Sequence, residues 1–257
     1  MSHRQHSFQG LYNQFITGAF MEHEFWHQRW QQNQIGFHQG DINLHLRQQW
    51  SKLEVVPNSR VLVPMCGKSS DMLWLLDQGY RVVGIELSPL AVAAFFSEND
   101  LQPTLRQQGE FIAYEIDELA IFCGDFFTLR SVDIGRIDAV YDRAALVALP
   151  AKMRLDYAAH MATLLEPNVK ILLETFDYLQ QEMSGPPFSV PHDEVEKLFH
   201  DWCDIELLVS EQILKREVKF KDRGLSQLQE HVYRLVVRES AKKHHCTQRR
   251  FLDDAEK

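Results

Sequence analysis

Short β-branched apolar runs alternate with helical stretches along most of this chain, and that alternation leaves few folds open. Residues 60–64 (RVLVP) read as a first buried strand. Residues 70–78 follow as a helix, with Ser69 or Ser70 as its cap and Gly79 as its stop. Residues 81–87 (RVVGIEL) form a second strand, and Ser88-Pro89 opens a helix that runs to residue 99. Residues 110–115 and 119–123 read as a hairpin or extra strand before the third core strand. Strands at 137–141 and 169–175 flank a helix at 151–165, and a helix at 193–201 precedes two last strands at 205–211 and 231–237. Strand–helix alternation builds a doubly wound, mostly parallel sheet. The last two strands lack a crossover helix, so one of them is expected to run antiparallel. The expectation is an α/β fold with a seven-stranded sheet. Ahead of it, residues 20–33 and 41–53 read as two amphipathic helices carrying Trp26, Trp30 and Trp50.

The turn after the first strand, Pro64-Met65-Cys66-Gly67-Lys68-Ser69-Ser70, is where an open α/β sheet places its ligand. The second strand ends at Glu86, 19 residues after Gly67. An acid at that offset accepts the hydroxyls of an adenosine ribose, in dinucleotide and S-adenosylmethionine sites alike. A dinucleotide site also needs G-x-G-x-x-G to hold a pyrophosphate, and here Gly67 stands alone. The Gly67-Lys68-Ser69 triplet resembles a P-loop, but that motif needs glycine where Leu62 lies in the strand. S-adenosylmethionine has no pyrophosphate, so it suits the turn. Gly124-Asp125-Phe126-Phe127 follows the third strand. An acid and an aromatic ring there suit an adenine amino group and ring, although a turn carrying two core phenylalanines has the same spacing.

The 257 residues are 45% hydrophobic and 25% charged, which suits one globular domain with a substantial core. The formal net charge of −9 disfavours a phosphate-backbone partner, so no nucleic acid is expected. No apolar run is long enough to span a bilayer, and the first residues lack a signal-peptide core. Cys66, Cys123, Cys203 and Cys246 form no C-x-x-C pair, which reads as reduced thiols and a cytoplasmic setting. Residues 1–20 read as a flexible extension and 238–257 as a polar tail around one domain at 21–237.

The run VLVPMCGKSSDMLWLLDQGYRVVGIELSPLAV resembles the thiopurine S-methyltransferase family, bacterial forms especially. So do FWHQRWQQNQIGFHQGDIN, CGDFF, YDRAALVALP, GPPFSVP and EHVYRL, which together span residue 21 to about residue 235. The resemblance implies a class I S-adenosylmethionine-dependent methyltransferase fold, with one late antiparallel strand and a helical lid over residues 21–53. It implies cofactor contacts at Trp30, Met65, Glu86 and Arg143, a small thiol, selenol or metalloid substrate, and a monomer. Met65 stands where many relatives have leucine, a swap of similar volume.

Several motifs carry two readings. His23-Glu24-Phe25-Trp26-His27 satisfies H-E-x-x-H, but it precedes the fold and lacks an evident third ligand, so no metal is assigned. Trp26 and Trp30, four apart, form either a helix packing stripe or an apolar wall embracing a sulfonium by cation–π contact. Gly36 is a candidate hinge, and Phe37 and His38 after it are expected against adenine or acceptor. Asp142-Arg143 ends the fourth strand. Its guanidinium suits a cofactor carboxylate or an acceptor anion. The Asn/Asp-Pro-Pro-Tyr motif of amino-methylating nucleic-acid enzymes is absent there. The stiff loop Gly185-Pro186-Pro187-Phe188-Ser189-Val190-Pro191 is either a rigid connection or an acceptor wall through Pro187 and Phe188. Residues 215–223 (KREVKFKDR) read as a solvated basic face.

The expected reaction is methyl transfer to the sulfur of thiopurines and similar aromatic thiols. Selenite, tellurite, halide or simple thiols are alternative acceptors on the same fold. A non-catalytic S-adenosylmethionine-binding module and a nicotinamide oxidoreductase are the remaining alternatives.

Overall fold

The computed structural model describes residues 23–239. The extension expected at 1–20 lies outside them, as does the tail from residue 240 onward, with Cys246.

β1 (Arg60–Pro64) and β2 (Arg81–Glu86) form the centre of the sheet, paired in parallel and buried almost throughout. Period-two geometry sends successive side chains of β1 to opposite faces. Leu62 enters a core with Ile85, Val140, Leu173 and Tyr157, while Val61 and Val63 enter a second core with Met72, Leu75, Phe95 and Tyr141. Helices therefore cover both faces, as a parallel sheet requires. α3 (Asp71–Asp77) follows β1, and α4 (Pro89–Glu98) follows β2. Ser88 caps α4 by accepting the Ala91 N–H at 3.4 Å, with Pro89 in the first turn. Gly79 leaves α3 at φ +82°.

The sheet has nine strands rather than the expected seven. The extra pair is the hairpin β3 (Thr104–Gln108) and β4 (Phe111–Ile116), added antiparallel to β5 (Leu119–Cys123). β3 was not foreseen because its side chains are almost all exposed and show no apolar period. This outer edge carries the Arg106–Glu115 pair, a charge that discourages further strand addition. β6 (Ala139–Asp142) and β7 (Lys170–Asp177) continue the parallel part. β9 (Gln229–Val237) then runs antiparallel to β7, and β8 (Cys203–Gln212) antiparallel to β9, which completes the order β3-β4-β5-β2-β1-β6-β7-β9-β8. α5 (Ser131–Ile134), α6 (Ala151–Leu164) and α7 (His192–Phe199) lie in the connections.

Of the two expected N-terminal helices, the first is present among the described residues and the second is shortened. α1 is helical over residues 23–31. α2 spans only Leu44–Gln49, because Asn43 caps it by accepting the Leu46 N–H at 2.8 Å, and it tightens into a 3₁₀ turn at Trp50–Leu53. Leu46, Trp50 and Leu53 are buried in the core beneath the sheet. This half of the anticipated lid is therefore a structural support. α8 (Val218–Asp222) occupies the basic stretch read as a solvated face. Phe220 anchors it in a small third core with Tyr178, Met183, Ile213 and Leu228. No helix among the described residues is long and apolar enough to cross a membrane.

Candidate active site

A cavity of about 450 Å³ opens at the carboxyl ends of β1, β2, β6 and β7, the usual ligand position in such sheets. Its wall contains Trp26, Trp30, Phe37, His38, Met65, Gly67, Glu86, Asp125, Phe126, Arg143 and Pro187. Phe188 is not part of that wall. Its N–H donates to the Val147 carbonyl at 2.7 Å and its ring lies over Gly185.

The β1–β2 side is built from backbone. Met65 and Gly67 take positive φ of +47° and +54°, a turn that brings main chain to the cavity. A Cβ on Gly67 would meet the Trp30 ring at 3.3 Å, so glycine lets the indole press on the turn. Glu86 ends β2 almost fully buried. Its Oε2 accepts the Gly67 N–H at 2.8 Å and its Oε1 the Ser88 N–H at 2.7 Å. Burial pushes the Glu86 carboxyl up, while the Ser88 and Gly67 amides pull it back. The Cys66 N–H goes to the Ile85 carbonyl at 3.0 Å. With these two amides engaged, the turn offers little to a pyrophosphate. Cys66, Cys123 and Cys203 are free thiols, and burial raises Cys123 to about 11.

Above this floor, Phe37 meets Trp26 and Trp30 edge-on, each at 5.6 Å between ring centres. His23 places Nε2 3.3 Å from Asp125 Oδ2, tying α1 to the turn after β5. Asp125 caps that turn by accepting the Phe127 N–H at 2.9 Å. Phe126 is buried and packs on Tyr157 at 4.9 Å, so it reaches the cavity from the core. Burial, followed by the Lys68 charge, holds His38 below its ordinary value.

The β6–β7–β9 side is built from charge. Asn43 donates its backbone N–H to Asp71 at 2.8 Å and its side-chain amide to Glu174 at 3.0 Å. The Tyr141 hydroxyl lies 3.0 Å from Asp71 and 3.4 Å from Glu174. Arg143, whose side chain is 15% exposed, approaches Asp71 at 3.6 Å. Glu230 is held by His45 at 2.9 Å and Arg216 at 3.1 Å. Below Arg143, Asp142 accepts the Tyr157 hydroxyl at 2.7 Å, and burial raises it to about 6. Asp71, Tyr141, Glu174, Phe176 and Glu230 line the cavity without having been singled out in the sequence. A signal existed for Glu174, an acid inside the apolar run KILLETFD. Lys219 and Arg223, read as solvated, also reach the wall.

The profile of the family described as Thiopurine S-methyltransferase (TPMT) matches residues 21–239. This chain belongs to the thiopurine S-methyltransferase family. It is 48% identical over 218 residues to the thiopurine S-methyltransferase of Nitrosospira multiformis, covering 85% of this chain and 99% of the relative. The Pseudomonas fluorescens SBW25 thiopurine S-methyltransferase is also 48% identical over 218 residues, covering 85% of this chain and all of the relative. Among solved structures, the 1,6-didemethyltoxoflavin-N1-methyltransferase of Burkholderia thailandensis, bound to S-adenosylhomocysteine, superposes with a TM-score of 0.53 at 16% identity. The match covers 86% of this chain and 89% of that one, and it shows a shared fold. The chain is therefore an S-adenosylmethionine-dependent methyltransferase, and the nicotinamide and non-catalytic readings fall away. The residues present fit that donor: a buried carboxylate ends β2, and the neighbouring turn has no pyrophosphate cradle.

Proposed function

We propose that this family member methylates the sulfur of small aromatic or heterocyclic thiols such as thiopurines, giving the S-methyl product and S-adenosylhomocysteine. One observation carries the reading beyond the names of the relatives: a single cavity joins half-buried aromatic rings to one nearly buried guanidinium. Flat heteroaromatic rings stack on the former, and a thiolate is drawn to the latter.

Under this reading Glu86 takes the donor's ribose hydroxyls, while Asp125 and Phe126 sit at its adenine. Met65, Gly67 and Trp30 enclose the rest. The bound donor supplies an electrophilic methyl on a positively charged sulfur. In-line displacement then depends on approach and alignment more than on acid–base help. Residues 23–39, with Trp26, Phe37 and His38, act as a lid that excludes water. Pro187 limits the acceptor's tilt, and Arg143 favours its anionic form. Aromatic thiols are substantially ionised near neutral pH, so no general base is assigned.

The test is methyl transfer from labelled S-adenosylmethionine to 6-mercaptopurine, run beside thiophenol, iodide and selenite. Turnover of both thiols is expected. In Arg143→Gln their kcat/KM falls by roughly 10- to 100-fold, the worth of one hydrogen bond to a charged group. Methylation of selenite or iodide with no thiol product, while the donor still binds, would replace the thiol reading.

A further inference from the structure

Glu174 sits where a carboxylate is costly to keep charged. It lies on β7, 6% exposed, with apolar neighbours along the strand. Its oxygens have unequal company. Oε2 accepts the Asn43 amide at 3.0 Å. Oε1 faces the Tyr141 hydroxyl at 3.4 Å, but that hydroxyl has one proton to donate and its oxygen lies nearer Asp71, at 3.0 Å.

The cations nearby are already committed. Glu230 on β9 has His45 and Arg216. Asp71 at the start of α3 has Arg143 at 3.6 Å. Among the described residues, no cation forms an ion pair with Glu174. Its ionised form is favoured by the field of Arg143 and, less, by that of His45, while Glu230 and Asp71 oppose it. Burial therefore raises its carboxyl to about 7, in the range where small environmental changes shift charge. Glu174 and Arg143 both reach the cavity wall.

We propose that Glu174 is a positioning residue acting through Arg143: protonated, it leaves the guanidinium's charge to an anionic acceptor, and ionised, it cancels part of that charge. The inference rests on the assignment of Arg143 to the acceptor. Its sign follows directly. As pH rises through the neutral range, Glu174 gains negative charge and KM for an anionic acceptor rises, while kcat is held. His45, raised by its bond to Glu230, loses positive charge in the same direction. The wild-type profile therefore contains these two groups together with Asp142 beside Arg143 and His38 on the cavity wall, and Glu174→Gln removes one of them.

The experiment uses 5-thio-2-nitrobenzoate, an aromatic thiolate that stays anionic between about pH 5.5 and about pH 8.5. Across that range wild-type KM is expected to rise at least about fivefold, from one added charge acting at an effective dielectric near 20. Glu174→Gln, which keeps the shape and cannot ionise, is expected to lose most of that rise and to keep only the part owed to the other titrating groups. Glu174→Asp restores the dependence. Superimposable profiles for wild type and Glu174→Gln, or equal pH-independent losses in kcat and KM, would overturn the proposal.

A second measurement does not depend on turnover. In the wild-type chain with ¹³C-labelled glutamate, one carboxyl carbon should titrate in the neutral range and be missing from Glu174→Gln, which assigns it. Glutamates all ionised by about pH 6 would sink the inference even if thiols are methylated. If that carbon titrates as expected and no thiol reacts, the failure lies with the acceptor assignment.

Discussion

The two sides of the cavity are made of different materials. On the β1–β2 side, backbone amides of Gly67 and Ser88 hold one carboxylate, and the partners lie 19 and two residues apart in sequence. On the β6–β7–β9 side, side chains hold side chains over long separations: 131 residues for Asn43 and Glu174, and 185 for His45 and Glu230. A backbone-built site is set once the strand, turn and helix form. A side-chain-built site exists only after distant elements have docked, and its buried charges stay sensitive to one another. The first arrangement suits an invariant donor, and the second suits adjustment to an acceptor.

Glu86→Ala should break the β1–β2 side with the largest effect. It deletes the proposed ribose acceptor and leaves two amides unpaired. Donor Kd measured calorimetrically should rise about 100-fold or more, at roughly 1.5–3 kcal/mol per charged hydrogen bond. A change under about threefold would remove Glu86 from the donor site.

Stability against pH sharpens the contrast. Asp142 is raised from 3.8 to about 6 and Glu174 from 4.5 to about 7, so both bind protons more tightly folded than unfolded. Their contribution is complete below the unfolded values and is lost as pH rises through about 6 to 7. Urea denaturation should show stability falling between about pH 4 and about pH 7 by up to about 3 kcal/mol per group. Glu174→Gln should flatten its share. Stability that rises with pH there would contradict the charge-built description.

His23→Gln should do least. The pair with Asp125 is 39% and 26% exposed, so its loss should cost under about 1 kcal/mol and shift the donor KM less than threefold. A larger shift would make α1 an integral part of the donor site rather than a cover.

Much of the β1–β2 side was legible in order along the chain. Ser88-Pro89 opens α4, Gly79 follows α3, and the Gly67–Glu86 spacing places an acid beside a turn, because each is a local feature of strand, cap or loop. The sequence alone also determined the strand–helix alternation and, through its motifs, the family. Tertiary structure decided the rest. It made α2 a core support instead of a lid, since Leu46, Trp50 and Leu53 find an apolar face only once the sheet exists. It added β3 as an exposed edge with no apolar signature. It turned a basic stretch into α8, with Phe220 inward and Lys219 at the cavity. It also gathered Asp71, Tyr141, Arg143 and Glu174 around one space. No local pattern encodes that meeting, because the desolvation that gives those charges their character arises only when α3, β6 and β7 come together.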